Sequence, residues 1–287
     1  MREAKIMIRS NYHTHSIYCD GKSTIEEVIQ SAVQKKLKHI GISSHAPIPN
    51  EEHWTMKKEK LTEYLEEVRE LKKSYADQIE VFLGLEADYF YDGGFAPIVK
   101  EYWKEFDYTI GSVHALGKID EKSYWYVDES YEKLKKGIEH SFKGDARKAV
   151  ETYYGILGEM TKTEIDIVGH MDIIKKNNQS SRIFQEKDEW YRQAVIGFLE
   201  EVKKNDKIIE VNTGGVKRYG KDCFYPSEWI LRQIAEKEIK ITYNGDSHHF
   251  EDVDFYYEEA EKILKNNGLD HIWILSEKGW KKTGFDF

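Results

Sequence analysis

The chain has 287 residues, 40% of them hydrophobic and 33% charged, which is enough to bury a substantial core and too charged for an integral membrane protein. Lys and Arg number 43 against 52 Asp and Glu, and the net charge of −9 argues against non-specific nucleic-acid binding, which cationic side chains carry. Cys19 and Cys223 lack metal-type spacing, no apolar run approaches the roughly 18 residues that span a bilayer, and MREAKIMIRS has too few apolar residues for a signal peptide, so a cytoplasmic protein with no membrane partner is expected.

A first strand is predicted at IMIRSNYH (6–13), and Ser23-Thr24 with Glu26 and Glu27 open a helix through Lys36. HIGISSH (39–45) is the second strand, followed by a helix whose apolar stripe is Leu61, Leu65, Val68 and Leu71. EVFLGLEAD (80–88), DYTIGSVH (107–114), DIVGHMD (166–172), IIEVNTGG (208–215) and KITYNGDSH (240–248) complete the series of strand-length runs, with longer helical stretches between. Such alternation predicts an α/β fold with a parallel sheet, and seven repeats in this length suggest a barrel. An open doubly wound sheet is the alternative, but no GxGxxG or GxxxxGK[ST] follows any of these strands. With four prolines and no Ser-, Gly- or Pro-rich linker, one domain over 1–287 is expected. The segment 115–143, holding Tyr124, Trp125, Tyr126 and Tyr131, reads as a lid-like insertion or as an aromatic patch packed on an outer helix. Trp103, Trp190 and Trp229 read as core or interhelix residues, and Cys19 as packing.

Every run but the sixth ends in metal-capable side chains: His13 and His15, His45, Glu86, His114, His170, and Asp246 with His248. In a parallel barrel those ends share one rim, where active sites lie. Residues i and i+2 of a strand face the same side, so HTH (13–15) and DSH (246–248) each aim two ligands at one place, and Asp20 in the following loop can reach it. Taken singly, each is more often an ordinary hydrogen-bonded side chain. Together they point to a polynuclear metal site, while His39, His53, His140, His249 and His271 fall outside the pattern.

The ordered set YHTHSIYCDGKST (12–24), ISSHAP (42–47), GLEADY (84–89), GSVHAL (111–116), VGHMD (168–172), VNTGG (211–215), FYPS (224–227) and NGDSH (244–248) resembles the PHP (polymerase and histidinol phosphatase) family of metal-dependent phosphoesterases, most closely its histidinol-phosphatase branch. The resemblance covers nearly the whole chain and implies a distorted (β/α)7 TIM-like barrel with three divalent ions at its C-terminal mouth. It assigns His13, His15, Glu86 and Asp246 to the first ion, Glu86, His114 and His170 to the second, and Asp20, His45 and His248 to the third, with Glu86 bridging. Mixed nitrogen and oxygen ligation suits Zn, Mn or Fe.

The activity implied is hydrolysis of L-histidinol phosphate to L-histidinol and phosphate, in histidine biosynthesis, by attack of a metal-bridging hydroxide. Asp246 and His248 are the candidates to assist the leaving group. That branch carries Arg soon after its GHxD motif, whereas this chain has MDIIKKNNQSSR (171–182). The candidate phosphate cations are therefore Lys175, Lys176, Arg182, Lys217 and Arg218, with Arg182 and Arg218 foremost. Asp88, Asp92 and Asp128 are candidate partners for the substrate's amine and imidazole. Another small phosphate ester or nucleotide is the alternative substrate. A non-catalytic regulatory PHP domain would lack ligands, and none is missing.

Overall fold

The computed structural model describes residues 9–50, 52–121, 123–178 and 181–284, so residues 6–8 of the expected first strand lie outside it. Strand β1 (Ser10–Asn11) runs through a loop into α1 (Ile25–Gln34). That helix starts where the Thr24 hydroxyl accepts from Glu27 N and the Glu27 carboxylate accepts from Thr24 N, a reciprocal cap of about 1 kcal/mol. After β2 (His39–Ile42) comes α2 (Leu61–Ser74), which buries Leu61, Tyr64, Leu65 and Val68 and leaves Leu71 half-buried.

Strand β3 (Glu80–Asp88), a short α3 (Pro97–Glu101) and β4 (Tyr108–Ser112) follow. Next come a hairpin of β5 (Ala115–Lys118) and β6 (Tyr124–Tyr126), then α4 (Tyr131–Phe142) and α5 (Ala146–Met160). The segment after His114 is thus ordered secondary structure. Trp125 packs so tightly over Gly137 of α4 that a Cβ there would lie 2.2 Å from the indole, and its Nε1 donates to Ser141 Oγ at 2.9 Å. The chain continues through β7 (Ile167–Val168), α6 (Glu189–Lys204), β8 (Ile208–Asn212), α7 (Gly214–Tyr219), α8 (Glu228–Glu236), β9 (Lys240–Asn244) and α9 (Tyr257–Asn266). It closes with an antiparallel hairpin, β10 (His271–Ser276) and β11 (Gly279–Gly284).

Seven parallel strands form one sheet in the order β1-β2-β3-β4-β7-β8-β9. Its two edges meet: Thr14 bridges Ser247 in parallel, His15 N donates to Ser247 O at 2.8 Å, and Ser247 N donates to His13 O at 3.1 Å. The result is a nearly closed α/β barrel, and the open-sheet alternative is excluded. Strands β2, β4 and β8 are buried at every residue, as a sheet covered on both faces requires. Strand β7 is shorter than its apolar run predicts because the His170 amide turns to the Glu210 carboxylate, 2.8 Å away, instead of continuing the ladder.

The end of the barrel away from the His-rich loops is plugged by Tyr12, Phe82, Tyr108, Ile110, Ile167 and Ile208. Gly41 and Gly84 make room for Tyr108, whose hydroxyl would lie 2.2 Å from a Cβ at Gly41 and whose ring would lie 2.2 Å from one at Gly84. The β10–β11 hairpin seals this end, with Leu275 N donating to Tyr12 Oη at 2.9 Å and the Trp280 ring edge-on to Tyr12 at 5.3 Å. Each such buried ring contributes about 1.5–3 kcal/mol, which makes this end a stability element and leaves the opposite rim for chemistry. No described helix is long and apolar enough to cross a membrane.

Candidate metal centre

The strand ends converge as their spacing predicts. Thr14 turns away to donate to Gly41 O at 2.8 Å, so His13 and His15 face the same side, with ring centroids 5.0 Å apart. His45 bridges Glu86 of β3, and His114 and His170 follow β4 and β7. Asp246 adopts a positive φ of 44°, a conformation that favours Asp over most residues and here aims its carboxylate into the cluster.

Glu86 is the hub. Its Oε2 lies 2.8 Å from His45 Nδ1, 3.1 Å from His13 Nε2 and 3.5 Å from His15 Nε2. Its Oε1 lies 3.0 Å from His170 Nε2 and 3.9 Å from His114 Nε2, and accepts from Ser112 Oγ at 2.7 Å. Asp246 Oδ1 is 3.3 Å from His15 Nε2, and Asp20 Oδ1 is 3.2 Å from His248 Nε2.

Four groups have candidate ligand atoms all within 4.8 Å of one another: His15 with Asp20, His45 and His248; His13 with His15 and Glu86; His13 with His170 and Asp246; and Glu86 with His114 and His170. The last is the set expected for the second ion. The third expected set is present with His15 added, and the first is divided between two groups that share His13.

The donor set fits metal. His13 Nε2, His15 Nε2, Asp20 Oδ1, His45 Nδ1 and Glu86 Oε2 are buried atoms without a hydrogen bond among the described residues. Each such orphan costs on the order of 1–3 kcal/mol, so five at one point call for a cation. Behind them, His13 Nδ1 donates to Glu210 Oε1 and His114 Nδ1 to Asp88 Oδ1, each at 2.7 Å, which turns both Nε2 atoms inward.

The electrostatics agree. Burial alone would raise the Glu86 pKa, but His45 and His13 hold it well below the usual carboxylate range. Burial, reinforced by His248 and His45, keeps His15 neutral. His114 is pushed up to about 10 because Asp88 overcomes the opposing effect of burial, so binding of an ion at its Nε2 has to release a proton. Burial likewise opposes ionisation of Asp246, and Arg218 and His13 outweigh it.

Beside the cluster opens a cavity of about 560 Å³, lined by His45, Trp54, Tyr126, Asp128, Lys176 and Arg218 among others. Arg218 Nη2 donates to Asp246 Oδ2 at 3.0 Å and Nη1 to His248 Nδ1 at 2.8 Å. Arg182 is exposed and does not line this cavity. Lys175 is buried in a pair with Asp172 at 2.8 Å, Lys176 pairs with Asp128 at 3.3 Å, and Lys217 pairs with Asp252 outside the cavity.

Two of the acids expected to meet substrate do something else: Asp88 is buried on His114, and Asp92 is held by Lys118 and Tyr124 away from the cavity. Glu210 escaped the strand-end rule because it sits in mid-strand, yet a lone carboxylate inside the apolar run IIEVN was a readable signal. The segment 115–143 divides its roles, with Trp125 packed on α4 and Tyr126 at the cavity, edge-on to Trp54 at 5.5 Å. Cys19 Sγ contacts His15 Nδ1 at 3.5 Å.

A comparison with known families matches residues 11–214 to the PHP domain. The chain belongs to the PHP domain family. Similar curated proteins include the histidinol-phosphatase of Bacillus subtilis, 26% identical over 275 residues that cover 88% of this chain and 98% of that one. A probable histidinol-phosphatase of Deinococcus radiodurans is 27% identical over 262 residues, covering 89% and 92%. Among solved structures, a histidinol phosphatase of Listeria monocytogenes matches with a TM-score of 0.74 at 22% identity, over 88% of this chain and 99% of that one. Histidinol phosphate phosphatase from Lactococcus lactis, solved with Zn, L-histidinol and phosphate, matches at 0.70 and 17% identity, over 96% and 100%. The barrel expected from the strand pattern, of the PHP type that the resemblance implies, is thus the fold of these proteins.

Proposed function

We propose that this PHP protein is a metal-dependent phosphomonoesterase that hydrolyses L-histidinol phosphate to L-histidinol and phosphate, a step of histidine biosynthesis. The observation that carries the reading is one cavity in which the convergent His, Asp and Glu side chains meet a cation, Arg218, and two acids, Asp128 and Glu129. The relatives named histidinol-phosphatase and the ligands of the Lactococcus structure support the same substrate.

Three ions would be held by His13, His15, Glu86 and Asp246, by Glu86, His114 and His170, and by Asp20, His45 and His248. Clustered divalent ions, when bound, lower the pKa of water towards neutrality and neutralise phosphoryl charge. Arg218 clamps a phosphoryl oxygen in addition to Asp246, adding planar, charge-assisted hydrogen bonds at the reacting group. Asp246, held ionised, would take a proton from the attacking water and, with His248 Nδ1 3.5 Å from its Oδ1, return it to the departing alkoxide. Trp54 and Tyr126 form an aromatic wall for the imidazole, and Asp128 and Glu129 replace Asp88 and Asp92 as partners for the cationic amine.

The test is kcat/KM of metal-loaded enzyme for histidinol phosphate against sugar phosphates and nucleotides. Histidinol phosphate is expected to be preferred. A preference of tenfold, about 1.4 kcal/mol, for any of the others overturns the substrate and leaves the phosphoesterase.

A further inference from the structure

Glu210, behind the cluster, touches several strands at once. Its carboxylate has no exposed surface, and burying such a charge costs several kcal/mol unless hydrogen bonds satisfy it. Here four donors do so. Oε1 accepts from His13 Nδ1 at 2.7 Å and from Asn244 Nδ2 at 2.9 Å, and Oε2 accepts from the His170 amide at 2.8 Å and from Asn212 Nδ2 at 3.0 Å.

Both amides are themselves oriented, since Asn244 Oδ1 accepts from Tyr12 N at 2.8 Å and Asn212 Oδ1 accepts from Gly214 N at 3.0 Å. Their NH2 groups therefore face Glu210. Asn212 Nδ2 also reaches Asp246 Oδ2 at 3.3 Å, so a single carboxylate is joined to His13, to the backbone of His170 and, through Asn212, to Asp246. Those three residues form one of the groups whose candidate ligand atoms lie within 4.8 Å of one another. Only a carboxylate offers acceptors on both oxygens, and a glutamine would turn its own NH2 onto two of the four donors.

We propose that Glu210 is the positioning residue of this group: it fixes His13 as the Nδ1–H tautomer with Nε2 free for an ion, and it holds His170 and Asp246 in register around the same point. The proposal rests on the metal reading of the site and not on the identity of the substrate. Second-layer carboxylates of this kind typically change metal affinity by about 10- to 100-fold.

The experiment titrates zinc into the full-length protein against a chromophoric chelator, for wild type and Glu210→Gln, and follows the downfield Nδ1–H proton resonance of His13 in the zinc-loaded samples. Expected is a weakening of about 10- to 100-fold for the zinc equivalents that His13, Asp246 and His170 hold, the equivalent on Asp20, His45 and His248 staying near wild type, together with an upfield shift of that resonance as a neutral amide replaces the carboxylate. A purely structural role would lower the melting temperature without changing the affinity of the folded fraction. Unchanged zinc affinity, or a His13 resonance unmoved from wild type, overturns the proposal. Should Glu210→Gln fail to fold, Glu210→Asp decides: it keeps the charge but draws it back from His13, so intermediate weakening is expected and wild-type affinity overturns the role. A wild-type chain that takes up no zinc overturns the metal reading itself. No substrate enters the measurement, so a failed histidinol phosphate assay leaves it intact.

Discussion

Asp88 Oδ1 accepts the Nδ1 proton of His114 at 2.7 Å, with both side chains buried, although Asp88 ends β3, His114 follows the neighbouring β4 and the two stand 26 positions apart. This contact makes Asp88 a support for the group Glu86, His114 and His170 and removes it from the substrate. Asp88→Asn is therefore expected to weaken binding of one metal equivalent by about 10- to 100-fold while KM for histidinol phosphate at saturating metal stays within about twofold of wild type. Elemental analysis after dialysis, with kinetics at high metal, checks both halves. A large KM increase with full metal content would return Asp88 to the substrate.

Glu86 approaches five imidazoles, whereas His45 contacts the cluster at one edge. Glu86→Ala should accordingly cost the protein at least two metal equivalents and His45→Ala mainly one. Metal-to-protein ratios measured on the two purified variants decide this. Equal losses contradict the bridging position of Glu86.

Arg218 is the cation beside Asp246, and Arg182 lies outside the cavity. Removing one preorganised donor from a developing anion typically costs about 10²–10³ in kcat, so Arg218→Met should fall in that range and Arg182→Ala should stay within about twofold. Steady-state kinetics of both variants on the same substrate provides the check, and the reverse order of effects would restore Arg182 as the phosphate ligand.

Asp166, at the sealed end of the barrel, accepts from Thr109 N at 2.9 Å and Trp280 Nε1 at 3.2 Å, yet burial prevails and raises its pKa. A raised carboxyl pKa means that the folded state holds the proton more tightly than the unfolded chain, whose value is about 3.9. Stability from this group is therefore complete below about pH 3.9 and declines as pH rises through the folded-state pKa. In thermal melts, the lead of wild type over Asp166→Asn should narrow from pH 4 to pH 7. A lead that widens over that interval contradicts the sign.

Much of the site was legible in the sequence because it is built from local rules. Apolar runs of strand length, alternation with helices, and the i, i+2 geometry of HTH and DSH depend only on neighbouring residues, and they placed His13, His15, His45, Glu86, His114, His170, Asp246 and His248 on one rim. Tertiary structure alone decided what those local rules do not contain. The Thr14–Ser247 bridge closes the barrel from its two ends, and Glu210 meets His13 across 197 positions. Asp88 was read as a partner for the substrate and proved to be the support of His114, while of two similar arginines only Arg218 turns into the cavity. Strand periodicity states which way a side chain faces. Which buried donor lies across from it is set by sheet register and barrel closure, and these come from contacts between residues far apart in the chain.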